Sequence, residues 1–137
     1  MNDVLAVLVG LAALAVSALA GVPLTALVLR AASRSPDAGE PGDDGERDGP
    51  TGEHARDVLR GGTWIGVLER LAVTACLLVG YPAGLAFVIA VKGLGRFPEL
   101  RGHPGVSERF VIGTFASLLW AVLVGGAARG LVATLAA

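Results

Sequence analysis

The 137-residue sequence has little of the chemistry that catalytic and metal sites use, since it contains one cysteine and two histidines. The single cysteine, Cys76, excludes an internal disulfide and any metal site built from several cysteines. Aromatic residues make up 5% of the chain, and no basic face interleaved with aromatics is present, so nucleic-acid binding is not expected. From these shortages we expect no metal, no cofactor and no nucleic-acid partner.

Charge is also missing from three long stretches, residues 4–29, 71–91 and 110–128, which contain no Asp, Glu, Lys or Arg. An apolar run of about 18 residues or more is long enough to cross a bilayer as a helix. With 53% hydrophobic residues overall, the composition is too apolar for an ordinary soluble domain. The sequence therefore predicts an all-α membrane protein with three transmembrane helices. Its predicted partner is the lipid bilayer in which these helices are embedded.

The first run is predicted to be an N-terminal transmembrane helix over residues 1–32. A cleavable signal peptide is the alternative, because residues 17–21 read S-A-L-A-G. However, no Lys or Arg precedes the run, and the run continues past that point, so we favour a retained helix. Small residues at three- and four-residue spacings give this helix a smooth face for close packing: Gly10, Ala13, Ser17, Ala20 and Gly21.

Residues 33–62 are predicted to be a flexible acidic linker that is disordered. Eight of the twelve acidic residues lie between positions 37 and 57, and Val58 and Leu59 are the only large aliphatic residues. Such a segment cannot bury enough apolar surface to offset the entropy of ordering it. Glu53, His54 and Asp57 are metal-ligand types, but nothing holds them rigid, and solvated charges are the favoured interpretation.

Residues 63–137 are predicted to form a transmembrane helical hairpin with a short basic loop at 92–109. Glu69 and Arg70 fall near the start of its first span, where a charge is costly and usually faces a partner or water. Pro82 predicts a kink near the middle of that span, beside Tyr81, whose hydroxyl would need a partner there. In the loop, Glu99 and His103 have a four-residue spacing, but the intervening Gly102 and flanking prolines disfavour a metal site.

Antiparallel spans would place Glu69 level with Arg129, and Lys92 level with Glu108, as ion pairs at the two membrane edges. Solvation of these charges by lipid headgroups is the alternative. Trp120 falls in mid-span, where its indole N–H is expected to donate to Tyr81 or to a carbonyl freed by Pro82. The candidate structural or functional residues are Glu69, Arg70, Tyr81, Lys92, Glu108, Trp120 and Arg129.

The orientation signals conflict. Asp3 precedes the first run, whereas Arg30 and Arg34 follow it, which favours an external N-terminus under the positive-inside rule. The short basic loop at 92–109 favours the opposite orientation. We expect an external N-terminus and an internal C-terminus.

Three blocks carry a resemblance: G-x-W-I-G-x-L-E-R at 62–70, A-x-K-x-x-x-R-F-x-E-L at 90–100, and E-x-x-V-I-G-T-x-x-S-x-x-W-A at 108–121. Together they resemble the C-terminal membrane hairpin of an uncharacterised family of bacterial integral membrane proteins. Longer members carry a separate N-terminal membrane domain, which one helix and the acidic linker replace here. The resemblance implies a bacterial inner-membrane location and no particular activity.

We expect a helix-packing interaction module, which associates with itself or serves as a subunit of a membrane complex. The alternative is a homo-oligomeric pore or transport protein with a plan like that of phage holins, in which Glu69, Arg70, Thr74 and Tyr81 line a path between protomers. An enzyme is not expected, because both histidines fall in predicted loops and no second acid lies near Glu69 to form a catalytic pair.

Overall fold

The computed structural model describes residues 3–34, 61–100 and 104–136. The expectations for most of the linker 33–62, including Glu53, His54 and Asp57, and for His103 fall outside these ranges. The described residues form four helices: α1 (Asp3–Ala32), α2 (Gly62–Leu78), α3 (Gly84–Leu100) and α4 (Pro104–Ala136). The ranges described contain no strand, and the prediction of an all-α protein is confirmed.

Two of the helices, α1 and α4, are long and apolar enough to cross a membrane. With 30 and 33 residues, they are about 45 and 50 Å long, against about 30 Å for the hydrocarbon core of a bilayer. In each, 22% of the residues in the most apolar window are buried. A core helix of a soluble protein would be mostly buried, so the apolar surfaces of α1 and α4 are turned outward instead.

The predicted single span over residues 71–91 is wrong, because the chain reverses direction within it. Helix α2 ends at Leu78 and α3 begins at Gly84. Gly80 has φ of +78°, its N–H donates to the Leu77 carbonyl at 3.1 Å, and the Tyr81 N–H donates to the Cys76 carbonyl at 2.7 Å. This is a Schellman helix end, in which glycine adopts the left-handed conformation that side chains disfavour. The chain therefore makes a complete turn at Pro82, where the sequence predicted a kink. The structure has two membrane-length helices, not the predicted three, and the shorter helices α2 and α3 lie between them in the sequence.

The basic segment 92–109 is helical over most of its length, rather than a short loop. Helix α3 continues to Leu100 with Pro98 inside it, and α4 begins at Pro104. Pro98 lacks the N–H that would donate to the Leu94 carbonyl, and because it lies in the last turn of α3 this loss interrupts little of the helix. The chain reverses direction in this segment, between α3 and α4, as predicted. It also reverses at residues 79–83, between α2 and α3, which was not predicted.

Because of the extra reversal, α2 and α4 run parallel to each other. Arg70 contacts Ser117, Thr74 contacts the Ala121 carbonyl, and Leu77 contacts Arg129, so the numbering rises together along both helices. Helix α1 runs opposite to both. The ends of α2 and α3 near Gly80 therefore lie beside the C-terminal part of α4, while α3 returns toward the N-terminal part of α4.

Of the predicted smooth face of α1, Ala13, Ser17 and Gly21 are buried, whereas Gly10 is half-buried and Ala20 is exposed. On α4, a Cβ atom at Gly113 would lie 3.8 Å from the Thr25 methyl group on α1. At Gly125 it would lie 3.0 Å from the Leu77 side chain on α2. Small residues thus set the close approach of α1, α2 and α4.

Candidate functional site

Arg70 is buried at the junction of three helices, with 3% of its surface exposed. Its guanidinium donates from Nη1 to the Ser117 hydroxyl on α4, and from Nη2 to the Ala18 carbonyl on α1, both at 3.1 Å. Gly21 makes room for the side chain, because a Cβ atom there would lie 2.4 Å from Arg70 Cδ. Arg70 therefore links α1, α2 and α4 through its own hydrogen bonds.

Arg70 lies deeper than its sequence position indicates. Ala18 and Ser117 fall near the midpoints of α1 and α4, so the guanidinium is close to mid-height in the bundle. The sequence predicted that Arg70 lies near the membrane surface, because α2 was taken to be the beginning of a longer helix. Since α2 ends at Leu78, its charged residues are central.

Glu69 pairs with Lys92 on α3, with 2.5 Å between Oε2 and Nζ. Both side chains are largely buried, and Lys92 Nζ also lies 5.6 Å from the centre of the Phe110 ring on α4. The predicted pairs of Glu69 with Arg129 and of Lys92 with Glu108 are wrong. They assumed one helix from Leu71 to Val91, whereas the turn at Gly80 brings Lys92 back beside Glu69.

Thr74, one turn beyond Arg70 on α2, is fully buried. Its hydroxyl lies 2.7 Å from the Ser17 hydroxyl on α1 and 3.4 Å from the Ala121 carbonyl on α4. A buried hydroxyl without a partner is costly, so this bond favours the observed register of α1 against α2. Thr74 is enclosed within one copy of the protein, and it does not face outward as a path between protomers would require.

Several buried polar atoms have no hydrogen-bond partner within the described part of the chain: Glu69 Oε1, Arg70 Nε, Thr114 Oγ1 and Trp120 Nε1. The first three belong to residues that surround one cavity. Buried polar groups are normally satisfied by protein or by an ordered molecule. Their clustering marks this place as the candidate site.

The cavity has a volume of about 890 Å³ and lies between the C-terminal half of α1, α2, α3 and the N-terminal half of α4. That volume is in the range of about 300 to 1,000 Å³ typical of ligand sites. The charged residues that line it are Glu69, Arg70, Lys92, Arg96 and Arg109, and Thr114 and Ser117 add hydroxyl groups. Much of the rest of its wall is apolar, and its members include Val22, Leu29, Ile65, Phe87, Val88, Val91 and Phe110. All three sequence blocks 62–70, 90–100 and 108–121 contribute to this wall.

The other predicted residues lie elsewhere. Tyr81 is in the turn between α2 and α3 and 61% exposed, not at mid-span. The Trp120 indole N–H does not reach Tyr81 or a freed carbonyl, contrary to expectation. Arg129 donates to the Leu77 carbonyl at 3.1 Å and so caps the end of α2, while Glu108 is exposed on the first turns of α4.

Sequence reasoning missed Thr114 and the glycine at position 21 as parts of this site. Thr114 lies in the block at 108–121, where it was used only for the resemblance, and it was not singled out there. Gly21 was assigned to packing between helices, whereas it makes room for an arginine side chain. The one sequence signal for both residues was Arg70, because an arginine in an apolar chain needs space and polar neighbours.

Comparisons with models of protein families, with curated proteins and with solved structures find no match. The site is therefore interpreted from its own chemistry. In the ranges 3–34, 61–100 and 104–136, no three His, Cys, Asp or Glu side chains come together in a way that could hold a metal ion. What the cluster offers is fixed charge and hydrogen-bond donors beside apolar walls.

Proposed function

We propose that the chain is a small integral membrane protein of the bacterial inner membrane that acts through helix packing, as an interaction module or a subunit of a membrane complex. The lengths of α1 and α4 and their outward-facing apolar side chains support insertion in a bilayer. The resemblance of residues 62–121 to a bacterial membrane hairpin supports the inner-membrane location.

The observation that carries the interaction role is an open small-residue face on α4. A Cβ atom at Gly126 or at Gly130 would meet nothing within 4 Å. These glycines are four residues apart and lie on one face of the helix, in the G-x-x-x-G arrangement that lets membrane helices approach closely. The occupant of this face is proposed to be α4 of a second copy or a helix of another membrane protein.

The polar side chains support the same role. Arg70, Thr74 and Glu69 hold α1, α3 and α4 against α2 through interactions within one copy. A rigid bundle stabilised at its centre presents a fixed outer surface to a partner. No catalytic function is proposed, because none of these groups is paired as a nucleophile with a base.

The test is the mass of the complex purified from native membranes in mild detergent, for the wild type and two variants. Gly126→Ile with Gly130→Ile fills the open face and is expected to reduce association at least tenfold. Ala127→Ile is the matched control, because Ala127 is also exposed but lies about 100° around α4 from Gly126. Equal association of all three proteins would exclude this face as the interface.

A homo-oligomeric pore or transport protein is the second candidate, and one observation favours it. Glu69, Arg70 and Lys92 place charge at mid-height beside a cavity, where polar residues often mark a transport path. Ion or solute flux in liposomes that contain the purified protein distinguishes the two proposals. Flux that depends on protein concentration and disappears in Arg70→Gln supports transport, whereas liposomes that remain sealed support the interaction module.

A further inference from the structure

We propose that the cavity between α1, α2, α3 and α4 binds an anionic phospholipid from the surrounding bilayer, with the phosphate of its headgroup held near Arg70. The site rests on the proposed insertion of the protein in a bilayer, but it lies within one copy and does not involve the interface on α4. It rests on charge, on unpaired hydrogen-bonding atoms and on the walls of the cavity.

The buried charges beside the cavity do not balance. The cavity wall holds four basic residues, Arg70, Lys92, Arg96 and Arg109, against one acid, Glu69, which is bonded to Lys92. Arg70 donates to a hydroxyl and a carbonyl, neither of which supplies a negative charge. A buried charge without a hydrogen-bonded counter-ion is strongly unfavourable in an apolar environment, and the described wall of the cavity carries an excess of positive charge.

No other acid among the described side chains supplies that charge. Asp3 is at the start of α1, far from its midpoint. Glu108 is exposed and precedes Ser117 by nine residues on α4, which is about 13 Å along the helix. The balancing anion is therefore not one of the described side chains.

The unpaired atoms fit a phosphate with a hydroxyl-bearing headgroup. Arg70 Nε and the Thr114 hydroxyl are donors without partners, and guanidinium and hydroxyl groups are good ligands for phosphate oxygens. Glu69 Oε1 is an acceptor without a partner, and a headgroup hydroxyl would donate to it. Phosphatidylglycerol has both a phosphate charge and glycerol hydroxyls, so it is the lipid we choose as the probe.

The walls indicate a lipid rather than a free anion. Leu68, Phe87 and Val91 line the cavity and are each more than half exposed, at 63%, 73% and 55%. The cavity is therefore continuous with the surface that the bilayer covers, and an acyl chain can enter it from the side. The acidic linker is the alternative source of negative charge, but its sequence offers only Val58 and Leu59 as large aliphatic residues to match the apolar wall.

The experiment measures the increase in unfolding temperature of the delipidated full-length protein in neutral detergent. Phosphatidylglycerol, phosphatidylcholine and inorganic phosphate are titrated separately, and native mass spectrometry counts the bound molecules. We expect one tightly bound phosphatidylglycerol, at least tenfold tighter binding of it than of phosphatidylcholine, and no response to inorganic phosphate. Arg70→Gln is expected to remove the preference for the anionic lipid.

Because Arg70→Gln also changes helix packing, a second pair of variants tests the site itself. Gly95 lines the cavity and Gly93 does not, yet a Cβ atom at either position would meet nothing within 4 Å. Gly95→Leu should weaken phosphatidylglycerol binding about tenfold by filling the cavity, whereas Gly93→Leu, on the same helix, should bind as the wild type does.

Three results would overturn the proposal. The first is equal binding of phosphatidylglycerol and phosphatidylcholine by the wild type. The second is an equal response to inorganic phosphate, which would assign the site to a free anion. The third is loss of stability on replacing the linker acids by amides, together with no lipid preference, which would make the linker the counter-ion.

Discussion

Glu69 and Lys92 form an ion pair across α2 and α3, although 23 residues separate them in the sequence. In one continuous helix these residues would be about 35 Å apart. Their contact therefore depends on the reversal at Gly80. The reversal also places both charges beside Arg70. Glu69, Arg70 and Lys92 form the central cluster of the bundle, and this cluster exists only because the chain turns at Gly80.

Replacing Lys92 by Met should destabilise the protein by about 3 kcal/mol, because the largely buried Glu69 carboxylate loses its partner. The double variant Glu69→Gln with Lys92→Met should recover part of that loss, since no carboxylate remains to be paired. Glu108→Gln, at an exposed site, is the control and should unfold at the wild-type temperature. A Lys92→Met protein as stable as the wild type would refute the pair.

Gly21→Ala should destabilise the bundle by about 1–3 kcal/mol, the usual cost of overpacking. The new Cβ atom would lie 2.4 Å from Arg70 Cδ, so the guanidinium must leave its bonds to Ala18 and Ser117. Gly10→Ala is the control on the same helix, where the nearest atom is 3.8 Å away on Leu78. Thermal unfolding in detergent should separate the two variants, and equal effects would show that Arg70 does not pack on Gly21.

Thr74→Val should cost about 1–3 kcal/mol, because it leaves the buried Ser17 hydroxyl without its partner at 2.7 Å. The shape of the side chain is nearly unchanged, so the loss reports the hydrogen bond. Adding Ser17→Ala should restore most of the stability, since both polar groups are then gone. If the double variant is less stable than Thr74→Val alone, the two hydroxyls are not coupled.

Gly80→Ala should destabilise more than Gly61→Ala. Both glycines have positive φ, at +78° and +82°, so alanine is strained at either site. At Gly80 a Cβ atom would also lie 2.6 Å from Arg129 Nη1, whereas at Gly61 it would meet nothing within 4 Å. Displacing Arg129 from the Leu77 carbonyl should add about 1 kcal/mol, an excess that should disappear in an Arg129→Ala background.

The sequence allowed α1 and α4 to be predicted, because a long charge-free run has few structural alternatives. It led to the wrong result between Leu71 and Val91, where run length alone was taken to indicate one span. The G-Y-P-A-G segment at 80–84 contains the glycines and the proline that favour a turn. The length of the apolar run, 21 residues, was nevertheless taken as the stronger indication and led to the prediction of one span. Glycine with positive φ at a helix end cannot be distinguished by sequence from glycine inside a kinked membrane helix.

The candidate site depended on that turn. Glu69, Arg70 and Lys92 were each singled out as charges in an apolar chain, but their grouping was not predictable without the reversal. Arg129 and Glu108 were assigned as their partners because antiparallel spans were assumed, whereas α2 and α4 are parallel. Trp120 and Tyr81 were expected to meet at mid-span for the same reason.

The most direct test of the account is the distance between spin labels at Leu68→Cys and Leu94→Cys, in a Cys76→Ala background. Both positions are exposed, on α2 and α3 respectively, close to the Glu69 and Lys92 pair. Neighbouring helix axes are about 8–10 Å apart, and with the two labelled side chains added we expect a label separation below about 25 Å. A separation near 40 Å, the length of 26 residues of continuous helix at 1.5 Å each, would contradict the reversal at Gly80 and the central cluster that depends on it.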